Sequence, residues 1–274
     1  MSKAFQGSVW GRLGKLEEER HLTGKYGPGC RQRVKRTNRF KRPKLDRGLT
    51  AYLFFPAASG VVVFFAGLVA NVIPWWLNLM AALPLYWYCY MTAHDAVHRA
   101  AHQNQVLNNW VGWISSGLFG LPFSLMRRAH LSHHCNAGRK DDIERFAYVS
   151  GWQLPFGVIL GNLFFYAHFP KCNFKEKLSA AALVFVVLSL IFYFPQTMLL
   201  GWILPMQLVF GLGMFTNIYL PHGPYAKWVE EHVPFVTGFH EDHHAMPSYP
   251  WHQLCRREIR FACRQKRDFL RNKR

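Results

Sequence analysis

The sequence predicts an all-α integral membrane protein with four transmembrane helices in two hairpins and a cytoplasmic helical cap that holds a di-metal site. Two stretches, 48–94 and 178–226, contain no Asp, Glu, Lys or Arg, and all 33 lysines and arginines lie outside them. A bilayer-spanning helix needs about 20 apolar residues, so each stretch is long enough for two helices. Histidines cluster beside these stretches in three short segments, HDAVH, HLSHH and HEDHH.

The two hairpins are expected to turn near Asn71–Trp76 and near Phe194–Thr197, because a proline interrupts each stretch there. The third and fourth helices are expected at about 178–195 and 199–220. Neither turn carries a charge, whereas the remaining flanks of the helices are basic. Basic flanks mark the cytoplasmic side of a membrane protein. Both termini and all three histidine clusters are therefore predicted to be cytoplasmic.

The domain organisation follows from the same pattern. Residues 1–47 are expected to form a basic cytoplasmic arm, residues 48–255 the membrane domain, and residues 256–274 a basic cytoplasmic tail. Inside the domain, Val111–Met126 and Trp152–Phe169 are apolar but broken by Gly and Pro, so we expect them at the membrane surface rather than across it.

The formal net charge of +18 narrows the class of partner. Basic flanks of membrane helices bind anionic lipid headgroups. No nucleic-acid-binding fold signature accompanies the charge, so nucleic acid is not an expected partner. A basic cytoplasmic face also attracts acidic soluble proteins.

The three histidine clusters predict a site for more than one metal ion. Helix positions i, i+3 and i+4 share one face, so the histidines of each cluster can point together. Imidazole suits iron, copper, nickel and zinc, and one ion cannot use so many. His222 directly follows the fourth predicted helix and is a candidate ninth ligand. The predicted ligands are His94, His98, His130, His133, His134, His222, His240, His243 and His244.

Other histidines and nearby carboxylates are assigned more sparingly. Asp95 is predicted to orient an imidazole from outside the ligand set. His102 continues the stripe of the first cluster but is not assigned to the site, and the role of Asn217 is left open. The isolated histidines His21, His168, His232 and His252 are also left unassigned.

Three kinds of metal protein remain open from the residues alone. A pair of irons shared by the three clusters uses all of the ligands. A zinc peptidase would use His240 and His244 with Glu241 as its base, and would leave two clusters idle. A metal transporter would hold its ligands near the middle of the membrane, whereas these lie on one side.

The order H-D-x-x-H, H-x-x-H-H and H-x-x-H-H resembles the membrane fatty acid desaturase family, which includes related hydroxylases and carotenoid ketolases. Asn108–Asn109, Asp141–Asp142 and the segment HHAMPSYPWHQL extend the likeness. Some desaturases carry an Asn four residues before the extra histidine. Here Ile218 holds that position and Asn217 precedes it.

The resemblance implies a non-haem di-iron enzyme of a multi-pass membrane protein, expected in a bacterial inner membrane. It implies O2-dependent oxidation of a long-chain lipid, first of all fatty acyl desaturation, with hydroxylation or ketolation of a carotenoid or another lipid as the alternative. The nine histidines would bind the irons, and no catalytic residue is expected beyond them. Expected partners are a lipid or acyl substrate from the bilayer and a separate ferredoxin-like or b-type cytochrome electron donor. Acyl carrier protein is a further candidate partner.

Overall fold

The computed structural model describes residues 49–70, 72–136, 142, 144, 165–166, 169–222, 226–233, 239–255 and 259. Every regular element among them is helical, which confirms the predicted all-α class. The predicted basic arm, residues 1–47, lies outside these ranges. So do nearly all of the tail, 256–274, and most of the ambiguous segment Trp152–Phe169.

The first predicted hairpin consists of α1, Leu49–Val69, and α2, Trp75–Val97. The two helices pack along one another, and Phe54, Ala57 and Val61 of α1 are buried in the main apolar core. The connection ends at Pro74, immediately before α2 begins. Burial on α2 concentrates in its second half, so this helix brings the first histidine cluster directly onto the core.

Two shorter helices follow, α3 at Gln105–Gly117 and α4 at Phe123–Asn136. A turn containing Gly120 in the left-handed region (φ 63°) divides the segment Val111–Met126 between these two helices. The second cluster therefore lies on α4, which begins at Phe123. The place of the divided segment at the membrane surface stays a prediction. Asn104 begins α3 by accepting hydrogen bonds from the backbone N–H groups of Val106 and Leu107.

The second predicted hairpin consists of α5, Phe174–Tyr193, and α6, Pro195–His222. Both are long and apolar enough to cross a membrane. The apolar stretch of α1, Leu53–Val69, is shorter than a membrane span needs. The four-span topology therefore stays a prediction. The helix α6 contains two π-helical segments, Met198–Ile203 and Phe215–Tyr219.

An ion pair fixes the foot of α5 to the helix of the second histidine cluster. Asn173 and Glu176 form a capping box at the start of α5. The Glu176 carboxylate also accepts two hydrogen bonds from Arg128 Nη2, at 2.7 and 3.0 Å. Because Arg128 lies on α4, this contact fixes the start of α5 against the helix that bears the second histidine cluster.

Two short helices complete the described chain. They are α7, Ala226–His232, and α8, His240–Ala245, and a 3-10 turn follows at Trp251–Gln253. Phe239, directly before α8, adopts a left-handed conformation (φ 56°) that is uncommon for a bulky side chain. Backbone strain of this kind is tolerated where surrounding contacts fix the conformation, and here it sets where the third histidine cluster begins.

Candidate metal centre

The three histidine clusters, at α2, α4 and α8, converge with His222 at the end of α6 into two adjacent groups. In each group, four ligand nitrogens all lie within 4.8 Å of one another. The first histidine group contains His94, His98, His130 and His243, and the second contains His133, His222, His240 and His244. Each group combines residues from three different helices, so tertiary packing and not helix periodicity alone assembles them.

His134, the ninth predicted ligand, lies between the two groups. Its Nε2 is 3.0 Å from Nε2 of both His130 and His243, which belong to the first group. Its ring stacks on His244 of the second group, with ring centroids 4.2 Å apart. All nine histidines singled out in the sequence therefore meet at one place in the fold.

The close nitrogen contacts cannot all be hydrogen bonds between neutral imidazoles. His240 Nε2 lies 2.8 Å from Nε2 of both His222 and His244. A neutral ring nitrogen either donates one proton or accepts with one lone pair, so it cannot serve two such neighbours at once. Buried His98 Nε2 and His133 Nε2 have no hydrogen-bond partner in the part of the chain that the structure describes. Converging, unpaired nitrogens fit the chemistry of metal ligands.

Burial keeps most of these imidazoles neutral. It lowers the pKa of His98, His134, His240, His243 and His244 well below its usual value, and repulsion from neighbouring imidazoles adds to the effect. Burial also lowers the pKa of His130, to about 4. A neutral imidazole has the free lone pair that a metal ion needs.

Two carboxylates that sequence analysis did not assign to the site lie behind the histidines. His133 Nδ1 is 3.0 and 2.9 Å from the two oxygens of Asp142. Glu144 lies 3.4 Å from the same Nδ1 and 3.5 Å from His130 Nδ1. Burial alone would lower the pKa of His133, but Glu144 and Asp142 together raise it. A carboxylate on Nδ1 fixes the ring so that Nε2 points at the metal position.

Asp95, the predicted orienting carboxylate, lies at the edge of the first group. Its Oδ1 is 3.9 Å from His94 Nδ1. Both Asp95 oxygens accept from the backbone N–H of Trp251, at 3.2 and 3.4 Å. The residue is buried, and through this contact it fastens the chain that follows the third cluster to the end of α2.

The unassigned histidines and Asn217 also have definite places. His102 Nδ1 accepts a hydrogen bond from the backbone N–H of Asn104 at 2.9 Å, which is a loop contact outside both groups. His232 is exposed and stacks on Trp228. His252 follows the third cluster outside both groups, and His21 and His168 lie outside the described ranges.

The π-helical segment Phe215–Tyr219 accounts for the position of Asn217. In a π-helix, residues five apart share a face, and Asn217 precedes His222 by five residues. This residue therefore lies where an Asn four residues before the histidine would lie on a regular α-helix. Its side chain lines a cavity beside the histidines.

That cavity joins the metal centre to the apolar core. Tyr90 and Phe165 line the cavity, and edge-to-face contacts connect them with Phe119 and Phe210 of the apolar core. The lining comprises Tyr90, Met91, His94, Met126, His130, Glu144, Phe165, Met214, Asn217, Ile218, His240, His243, Trp251 and Leu254.

Asn108 holds the loop behind the first cluster, and its replacement provides a test of that loop. Its side-chain oxygen accepts from the backbone N–H of Ala101 and His102, and its amide donates to Ala96 O at 2.9 Å. Asn108→Ala would leave these buried groups unpaired, so we expect a loss of about 2–3 kcal/mol in the free energy of unfolding. Thermal unfolding in detergent measures the loss, and an unchanged midpoint would contradict this role.

Comparison with known proteins identifies the family. A family model described as fatty acid desaturase matches residues 70–266, which is most of the chain. The chain therefore belongs to the fatty acid desaturase family, as the histidine pattern predicted. No solved structure matches it.

The similarity to individual relatives is partial. Over 111 residues the chain is 30% identical to the sn-1 acyl-lipid omega-3 desaturase (ferredoxin) of Synechocystis sp., which covers 39% of this chain and 30% of that protein. It is 26% identical over 156 residues to the Delta(12) acyl-lipid conjugase (11E,13E-forming) of Momordica charantia, covering 52% and 33%. For the sphingolipid delta(4)-desaturase of Bos taurus the identity is 25% over 190 residues, covering 60% and 58%. The chain thus spans about a third of the length of the first two relatives.

Proposed function

We propose that this protein is an oxidoreductase that uses O2 and two irons to oxidise a long-chain lipid, and that its reaction is fatty acyl desaturation. The observation that carries the proposal is the convergence of eight histidines into two adjacent groups of four, in a chain whose family model is that of fatty acid desaturases. Two groups provide for two ions, and each ion would have an all-nitrogen ligand set.

The residues present fit iron better than a tetrahedral zinc site. A tetrahedral zinc site takes four ligands. Nine histidines converge here, which is more than two such sites would use. The zinc-peptidase alternative also loses support, because His240 and His244 lie in one group with two further histidines that such a site would not use.

The histidines would hold the irons, with His134 as the fifth nitrogen of the first histidine group. When bound, the irons would pass electrons from the separate donor to O2 and would so supply the oxidising power that removal of hydrogen from an unactivated C–H bond needs. Asn217 is placed to hold a polar ligand, such as water, on the cavity side of the site. The chain itself contributes neutral ligands, a fixed orientation for each ring, and exclusion of bulk water.

The cavity beside the histidines is the proposed binding place of the acyl chain. Its wall includes Met91, Met126 and Met214, and methionine is a flexible apolar side chain that adapts to a methylene chain. His94, His130, His240 and His243 line the same cavity. One C–H bond of a chain lying here would be held next to the metal centre.

The membrane arrangement and the electron supply belong to the same proposal. The two apolar hairpins would cross the membrane four times, with the metal centre and both termini on the basic, cytoplasmic side. Electrons would come from a separate ferredoxin-like or b-type cytochrome donor. One relative is a ferredoxin-dependent desaturase by its name, and the basic face of this chain suits an acidic donor.

Mass spectrometry of lipids tests the reaction. Cells that make the protein together with a ferredoxin are compared with cells that make His133→Ala. We expect a lipid that is lighter by two hydrogens and is absent with the variant. A lipid that is heavier by oxygen would establish a hydroxylase or ketolase of the same family instead. Identical lipid profiles in acyl-lipid-rich and carotenoid-producing hosts would contradict lipid oxidation.

The metal centre also predicts a pH dependence that can be measured without substrate. Asp142 and Glu144 face His133 Nδ1 and raise the pKa of this histidine, so a proton on Nε2 competes with the metal there. Burial lowers the pKa of His98, His130 and His243, so these three ligands of the first histidine group stay neutral at lower pH. Iron titrations should therefore show one of two sites weakening first as the pH falls. Parallel weakening of both sites would contradict this difference.

A further inference from the structure

We propose that Glu144 is a positioning residue shared by both metal sites, a single carboxylate that orients one histidine ligand of each. This inference rests on the proposed di-iron function. Glu144 is 3% exposed and lies outside α4, which ends at Asn136. It follows His134 by ten residues in the sequence, and its carboxylate lies on the Nδ1 side of the histidines of α4.

The contacts of Glu144 divide evenly between the two groups. Oε1 lies 3.5 Å from Nδ1 of His130, which belongs to the first histidine group. Oε2 lies 3.4 Å from Nδ1 of His133, which belongs to the second. This second contact is electrostatic, because His133 Nδ1 is hydrogen-bonded to Asp142 and Oε2 has no hydrogen-bond partner among the described residues. These two histidines are neighbours on α4, with ring centroids 6.0 Å apart. The charge of one carboxylate therefore acts on both rings.

Asp142 keeps Glu144 in place, and the histidine that it contacts at hydrogen-bond distance, His133, belongs to the second group. Its Oδ1 accepts from the backbone N–H of Glu144 at 3.0 Å and also lies 3.0 Å from His133 Nδ1. His133 consequently has two carboxylates behind it. His130 has Glu144 alone among the carboxylates that the described contacts bring to its Nδ1. The two acidic residues thus have separable roles.

This asymmetry has a consequence for each ion. A carboxylate behind a metal-bound histidine fixes its orientation and raises its basicity, and removing it costs about 10–100-fold in metal affinity. Loss of the Glu144 charge should weaken both sites, and the first more than the second, because Asp142 still supports His133. Loss of the Asp142 charge should weaken the second site directly while Glu144 continues to support His130.

The test compares iron binding and Mössbauer spectra of the full-length protein loaded with isotopically enriched iron. Glu144→Gln should lower iron affinity about 10–100-fold and shift the signals of both irons. Asp142→Asn should shift chiefly one. Glu176→Gln is the matched control, because this carboxylate also binds α4, through Arg128, but contacts no histidine in the described contacts. It should leave both signals unchanged.

The outcomes separate this inference from the proposed function. If the wild-type protein does not bind two irons, the proposed function fails. If it binds two and Glu144→Gln binds both with unchanged affinity and spectrum, or shifts only one signal, the shared role of Glu144 is overturned. Should Glu144→Gln not fold, Glu144→Asp decides, since it keeps the charge but draws the oxygens back by one methylene. Both signals should shift in that variant, and unchanged signals would overturn the inference.

Discussion

His133→Ala is expected to abolish lipid oxidation, with a loss of at least about 100-fold, since even an outer carboxylate costs up to that factor. His133 is fully buried and belongs to the second histidine group. The Asp142 and Glu144 carboxylates lie on the Nδ1 side of its ring, so its Nε2 faces that group. Alanine removes the ligand and leaves Asp142 and Glu144 facing an empty space. The rate of product formation, measured per mole of folded protein, gives the effect.

His102→Ala is the matched control for that experiment. His102 lies only four residues after His98, yet its Nδ1 accepts a hydrogen bond from the Asn104 backbone and it takes no part in either group. The variant should keep its iron and most of its activity. Equal losses in the two variants would mean that the activity depends on the loop and not on the ligand set, and full activity of His133→Ala would contradict the proposed site.

Removal of iron is expected to have the second of the two largest effects. A chelator should abolish turnover and lower the unfolding temperature, because the metal binds only the folded arrangement of nine histidines. A ligand at about 100 times its dissociation constant stabilises the folded state by about 2.7 kcal/mol. Ferrous iron added without oxygen should restore the stability, and the activity should return once oxygen and the electron donor are supplied.

Zinc distinguishes the effect of the metal on stability from its effect on activity. It binds imidazole nitrogen but has no redox chemistry. Zinc-loaded protein should therefore recover much of the lost stability and none of the activity. Activity with zinc alone would contradict an oxidation and would return the zinc-hydrolase alternative. A chelated protein with unchanged stability would instead show that the histidines do not hold metal in the folded chain.

The sequence predicted which histidines come together more reliably than it predicted the helices around them. Histidines at i, i+3 and i+4 are readable because helix periodicity places them on one face, and their spacing also carried the family resemblance. The boundaries of α5 and α6 were less accurate, since apolar composition does not show where a helix begins. The division of Val111–Met126 depends on one left-handed turn at Gly120.

Asp142 and Glu144 show what spacing could not reveal about the site. They follow the second cluster by eight and ten residues, outside α4, and helix periodicity does not predict their contacts with His130 and His133. The acidic run after the second cluster was the available signal. Asn217 is a second case, because a π-helical turn, which has no reliable sequence signature, brings it into line with His222.

Metal analysis of the purified wild-type protein tests the central claim most directly. The protein is loaded with ferrous iron without oxygen, passed through a desalting column and assayed for iron per chain. Two histidine groups of four, with His134 between them, predict two tightly bound irons whose spectra show coupling between neighbouring ions. One iron per chain, or iron that is lost on the column while zinc is retained, would contradict the di-iron centre.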